Sequence, residues 1–112
     1  MEIHTRTIGD DHVLDLSGKI TLGAATIAIR HTVSDLLVNG GRKIVLNLKD
    51  VNYIDSSGIG ELLRTYTTVT SEGKQPRLLH LTAKVRELLV ITKLLTLFQV
   101  FENERSAVSS FA

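Results

Sequence analysis

Lys43-Ile44-Val45-Leu46-Asn47-Leu48, followed closely by Asp55-Ser56-Ser57-Gly58-Ile59-Gly60, is the stretch that decides how this chain folds. Ile44, Val45 and Leu46 run together without alternation, as a strand covered on both faces requires. Tyr53 and Ile54 deliver the chain to Asp55. From Ser57 the apolar positions Ile59, Leu62, Leu63, Tyr66 and Val69 recur at helical spacing, which predicts a helix to about Ser71. Asp and Ser are strong N-cap residues, because their side-chain oxygens accept the unpaired N–H groups of a helix's first turn. Gly58 and Gly60 carry no side chain, which predicts a bare backbone that a second molecule approaches closely. A serine hydroxyl at such a corner suits phosphorylation, anion binding or nucleophilic attack.

Upstream, Ile3 to Thr7 reads as a strand, Gly9-Asp10-Asp11 as a turn, and His12 to Ser17 as the returning strand of a hairpin, ended by Gly18. A helix follows from about Gly23 to Val38. Its buried stripe is Ile29, Val33, Leu36 and Leu37, its polar face Arg30, His31, Ser34 and Asp35, and its stop Asn39-Gly40-Gly41. Downstream, Glu72 to Pro76 is a turn cluster and Arg77 to Leu81 a strand. Thr82 caps a third helix running to Thr92, with Val85, Leu88 and Leu89 inward. Leu97 to Phe101 reads as the last strand, and Asn103 to Phe111 as a closing helix burying Ala107, Val108 and Phe111. Leu94, Leu95 and Phe98 form either an apolar surface patch or packing between the third helix and the last strand. Strands alternating with helices after a hairpin define an α/β fold, a mostly parallel sheet with an antiparallel edge, its helices mainly on one face.

Composition bounds the function. The 112 residues suit a single domain, residues 1–112. Aromatic residues are only 4%, so the core must be aliphatic. A net charge of +1 with interspersed signs supplies no basic stripe for a nucleic-acid backbone. No cationic amphipathic helix and no apolar run of about 20 residues points to a membrane. With no cysteine there is neither disulfide nor thiolate chemistry. Together with a polar start lacking a secretory h-region, these features predict a cytoplasmic protein that engages neither nucleic acid nor membrane.

Enzymatic readings find little support. Asp55-Ser56-Ser57-Gly58 lacks the glycine two residues before the serine that a nucleophile elbow needs. His4, His12, His31 and His80 are scattered, and nothing sets one beside Ser56 as a base. No histidines or carboxylates recur at metal-ligand spacing, so neither metal nor cofactor is expected. Gly18-Lys19 lacks the rest of a phosphate loop. A helix start does offer free N–H groups to an anion. A nucleotide- or small-anion-binding module, or a scaffold, at the Ser56–Gly60 corner is therefore the alternative reading.

The segment from Val45 through Asp50-Val51-Asn52-Tyr53-Ile54 to Asp55-Ser56-Ser57-Gly58-Ile59-Gly60 resembles the signature of STAS domains, specifically of the bacterial anti-sigma factor antagonists. The opening hairpin, Gly18, the Gly73 turn and the Leu78 strand leading to the Val85 helix extend the similarity over nearly the whole chain. The resemblance implies a mixed sheet with helices mainly on one side and a non-enzymatic binding role. It implies phosphorylation at Ser56 by an anti-sigma factor that is itself a serine kinase of the Bergerat ATP-binding fold, and a phosphatase that reverses it. The unmodified antagonist would hold the anti-sigma factor and free the sigma factor. Contacts are expected from Asp55, Ser56, Ser57, Gly58 and Ile59, and from Thr21 and Leu22 in the neighbouring loop. Four positions depart from the family pattern: Lys19 and Thr21 stand where acids are usual, Glu61 where a hydrophobe is common, and Lys93 where Gly is frequent. Asp55 and Glu61 would oppose a phosphate on Ser56, whereas the helix dipole would favour it.

Overall fold

The computed structural model describes residues 1–40 and 42–109. The hairpin forms as expected, β1 (Glu2–Ile8) pairing antiparallel with β2 (Asp11–Ile20) around Gly9, whose φ of 61° lies in the left-handed region that favours a residue without Cβ. Parallel pairing then adds β3 (Lys43–Ile54), β4 (Gln75–Leu79) and β5 (Gln99–Phe101), giving the spatial order β1-β2-β3-β4-β5. Between the strands run α1 (Ala24–Val38), α2 (Ser56–Ser71) and α3 (Ala83–Ile91), and α4 (Glu104–Ser109) closes the described chain.

Alternation along the strands sorts the core into two layers. Leu14, Leu16 and Ile20 of β2 and Ile44, Leu46 and Leu48 of β3 pack with Ile29 and Val33 of α1, Leu62 and Val69 of α2, and Val85 and Leu89 of α3. On the opposite face Val13, Val45 and Leu79 meet Ala107 of α4. The predicted fold is therefore the observed one: a mixed, mostly parallel sheet with helices mainly on one face. Burial of β3 on both faces explains why its apolar run does not alternate.

Beyond Leu48, β3 keeps Val51 and Ile54 in the same core although Val51 lies three residues past Leu48 and Ile54 three past Val51. Two register shifts against β2 make this possible, each with one extra residue on the β3 side. The bulges keep the strand pairing with β2 as far as Ile54, where the chain turns into α2.

Several expectations shift. Gly18 does not end β2; with φ 98° it lies inside the strand, at the second bulge, with the Met1 backbone against it. The fourth strand starts at Gln75, two residues before the expected Arg77. Pro76 is tolerated there because β5 pairing begins only at Arg77, so the missing N–H faces no strand. The last strand starts at Gln99 instead of Leu97, behind a 3₁₀ turn at Leu94–Thr96. Leu94 and Phe98 are buried and Leu95 packs against them, so this trio is core; Phe98 meets Tyr66 edge-on at 5.4 Å. Thr82 caps α3 as expected, accepting the Val85 N–H at 3.2 Å. Gly41 and Phe111, read as part of a helix stop and as a core residue, lie outside the described residues.

Arg77 was not foreseen as core. It is fully buried beneath α4, donating to the Ala107 carbonyl at 3.2 Å and to Gln75 Oε1 at 2.5 Å, with its guanidinium 5.3 Å from the Phe101 ring. Arg6 ties the same layer together: it pairs with Asp15 at 2.6 Å and with Glu104 of α4. Those contacts hold both carboxyls below their usual range, chiefly through the Arg6 hydrogen bond.

Candidate functional site

The corner between β3 and α2 is built around the Asp55 carboxylate. Asp55 has extended backbone and caps α2, one oxygen accepting the Gly58 N–H at 2.8 Å. Its other oxygen accepts the Leu22 N–H at 3.1 Å, and its own N–H donates to the Ile20 carbonyl at 3.2 Å. One side chain thus fastens the start of α2 to the loop between β2 and α1. These N–H bonds, Gly58 first and Leu22 next, hold the Asp55 carboxyl below its usual range.

The clamp decides which predicted residues share a surface. Ser56, the first residue of α2, is exposed; Ser57, Ile59 and Thr21 are half-buried. Leu22 is 77% exposed, although its amide is fixed by Asp55. The two segments expected to meet a partner therefore lie side by side. Ile59 packs on the core and offers only part of its side chain.

Gly58 corrects the expectation of a bare, approachable backbone. It is buried, and a Cβ there would fall 2.3 Å from the Ile20 carbonyl oxygen and 2.7 Å from Ile54. Its missing side chain lets α2 seat on the ends of β2 and β3, and this packing, not openness to a second molecule, is what the glycine serves here. Gly60 keeps the expected character, with nothing within 4 Å of a Cβ. Beside it a shallow groove of about 350 Å³ is lined by Leu63, Arg64, Thr67 and Thr68.

The inward side of α2 also differs from its predicted stripe. Gly58, Glu61, Leu62, Thr65 and Val69 face the core, while Leu63 is 44% exposed. Glu61 occupies a position that suits a hydrophobe, and the fold compensates its charge: it is 3% exposed and accepts from Arg30 of α1 at 2.8 Å. That pairing, missed in the sequence, removes Glu61 as a free charge opposing a phosphate on Ser56. Lys93 likewise takes a glycine's place, in the left-handed region at φ 63°.

No histidine among the described residues hydrogen-bonds to Ser56 or Ser57; His12 is buried near the other end of β2, with Nε2 3.2 Å from the Gly40 carbonyl oxygen. No described helix is long and apolar enough to cross a membrane.

Comparison with known proteins bears on the same architecture. A family model described as STAS domain matches residues 2–107. An anti-sigma F factor antagonist of Paenibacillus polymyxa is 30% identical over 66 residues, 59% of this chain and 56% of that protein. The match thus spans little more than half of that relative. Among solved structures, TM1081 of Thermotoga maritima superposes with a TM-score of 0.85 at 23% identity, covering 94% of this chain and 90% of its own. The anti-sigma factor antagonist SpoIIAA in its unphosphorylated form gives 0.78 at 20% identity, covering 94% and 92%. At these identities the superpositions show the fold.

Proposed function

The chain belongs to the STAS domain family, and from that premise we propose that it is an anti-sigma factor antagonist whose binding is switched off by phosphorylation of Ser56. The observation that carries this reading is the placement of Ser56: exposed, first in a helix, on a corner that Asp55 already holds rigid. A kinase reaches such a hydroxyl without unfolding anything. The sequence relationship to an anti-sigma F factor antagonist supports the choice of partner class.

The switch follows from charge. Phosphorylation adds about −1.5 to −2 charges at pH 7. At the start of α2 the dipole favours that charge by about 0.3–1 kcal/mol, and Glu61 is already neutralised by Arg30. The fold therefore tolerates the modification. An interface closed over the bare hydroxyl does not, because burying an unpaired charge costs several kcal/mol, and 1.4 kcal/mol is tenfold in affinity. Unmodified chain holds the anti-sigma factor, a serine kinase of the Bergerat ATP-binding type, and so frees the sigma factor. Phosphorylated chain releases its partner until a serine phosphatase resets it. Asp55, Ser57, Thr21, Leu22 and the exposed part of Ile59 surround the modified oxygen in this scheme.

A pull-down from the source cell with wild type and Ser56→Asp tests the proposal. A Bergerat-type serine kinase retained by wild type and lost from Ser56→Asp supports it. Equal retention by both proteins, or no such kinase on either, rejects it.

A further inference from the structure

We propose that the cleft between the C-terminal end of α2 and the start of β5 binds a small organic anion: a carboxylate carried on an apolar body no larger than a single ring.

The cleft exists because β5 starts late. Its pairing begins at Gln99 opposite Arg77, so β4 has no strand beside it on that edge at Gln75 and Pro76. The space left is about 210 Å³. Sites for drug-sized ligands run to roughly 300–1,000 Å³, so the cleft suits a smaller molecule than a nucleotide. Tyr66 of α2, Pro76 of β4 and Leu97 supply apolar wall. Gln75 and Gln99 supply neutral hydrogen-bonding groups, Lys74 and Arg77 positive charge, and no described residue lining the cleft is acidic. A rise of about 1.5 Å per residue puts Tyr66 roughly 15 Å along α2 from Ser56, so this site is separate from the phosphorylated corner.

Arg77 decides the chemistry. It is 0% exposed, yet among the described residues no carboxylate forms an ion pair with it. Its terminal nitrogens donate to the neutral oxygens of Ala107 and Gln75, and its Nε has no hydrogen-bond partner. Asp11 attracts it only over a distance, its own oxygens being held by the amides of Arg42 and Lys43 and by the Lys43 ammonium. A buried cation without a direct counter-ion is costly, and so is a buried donor without an acceptor. A ligand carboxylate in the cleft that Arg77 lines supplies the missing counter-charge. Lys74 adds a second cation: the Leu37 carbonyl takes one of its three N–H groups, at 3.0 Å.

Neighbouring negative groups do not cancel this charge. At the end of α2 the carbonyls of Thr68, Val69 and Thr70 already accept hydrogen bonds from Ser71, Glu72, Gly73 and Lys74. Glu102 and Glu104, just past β5, pair with Arg86 and Arg6. Glu72 is exposed beyond α2 and does not line the cleft.

The test titrates isotope-labelled chain with benzoate, using benzamide and benzylamine as neutral and cationic controls. Expected are saturable amide shifts at Thr70, Lys74, Gln75, Arg77 and Gln99 at millimolar benzoate, with Asp55 to Gly60 unmoved. Benzamide should bind at least about tenfold more weakly, having lost the charge-assisted hydrogen bonds, and benzylamine should not bind. Gln99→Glu, an isosteric change at an exposed position, sets a carboxylate against the ligand and should weaken benzoate by at least about tenfold. Lys74→Met should weaken it less. Both variants spare Arg77, whose side chain is core. No saturable response to benzoate, equal binding of either control, shifts centred on Ser56, or undiminished binding by Gln99→Glu each overturns the inference. Because neither Ser56 nor a kinase takes part, its failure is separate from that of the pull-down.

Discussion

The two sides of α2 carry different kinds of information, although they alternate within the same four turns. On the inner side Gly58, Leu62 and Val69 are fixed by packing, and Glu61 and Thr65 by polar partners: Arg30 for the carboxylate, the Glu61 carbonyl for the Thr65 hydroxyl at 2.9 Å. On the outer side Ser56, Gly60, Leu63 and Arg64 are exposed beside an open groove. The same residue types thus serve opposite ends: one glycine permits contact with the sheet, the other leaves room for something outside. The difference teaches that stability and recognition are separable on this helix, so substitutions on either side should be told apart by which measurement they move.

The largest effect should come from Gly58→Val. A side chain there collides with backbone at Ile20, which a rotamer change cannot relieve. Urea unfolding should show a loss of about 3 kcal/mol or more, or no folded protein at all. A Gly58→Val protein as stable as wild type would break the comparison on its inner side.

Next comes the ion pair between α1 and α2. Arg30→Met leaves the buried Glu61 carboxylate without its partner, so the thermal midpoint at pH 7 should fall. Adding Glu61→Leu to Arg30→Met should recover most of the midpoint, since an apolar side chain suits that place. If the double variant melts below the single one, Glu61 is needed for more than its pair.

A smaller effect is expected from acid titration of the corner. Asp55 has its carboxyl held below the unfolded value of about 3.9. A depressed carboxyl contributes stability that is fully present above the unfolded pKa and is lost as pH falls through the folded one. The loop amide of Leu22 should therefore stay protected from hydrogen exchange at pH 6 and lose protection below about pH 4. Asp55→Ala should lack that protection throughout. Protection of Leu22 that survives Asp55→Ala would remove the clamp from the account.

The smallest stability changes belong to the outer side. Gly60→Ala should be neutral or stabilise by up to about 1 kcal/mol, because alanine is the better helix former and nothing lies within 4 Å of its Cβ. Leu63→Ala should stay within about 0.5 kcal/mol. Both should weaken partner binding, measured by titration calorimetry against the captured kinase, and a loss of stability without loss of binding would invert the comparison.

How legible these features were depends on whether they were local. The Asp55 and Thr82 caps could be read because a cap needs only its own first turn. The apolar run of β3 was legible because two-sided burial leaves a run without alternation. The phase of α2 was not: Leu63 looks like core by composition, and what turns the inner face toward Glu61 is the close seat of Gly58 on Ile20, a contact across the chain. Pro76 hid the start of β4, since its fit depends on where β5 begins. Arg77 gave no signal of burial, because the layer covering it comes from α4, 30 residues on. At the site itself Ser56, Thr21 and Leu22 were named from sequence, but the bond through Asp55 that sets them side by side appears only in three dimensions.

The central claim is that a phosphate on Ser56 changes the outer surface and leaves the inner packing alone. It is tested most directly by encoding phosphoserine at position 56 and comparing its amide spectrum with that of the unmodified chain. The account predicts shifts confined to the corner, Thr21 to Gly23 and Asp55 to Gly60, with β3, β4 and the inner residues of α2 unmoved. Shifts spreading through Val45, Leu62, Val69 and Leu78 would contradict it.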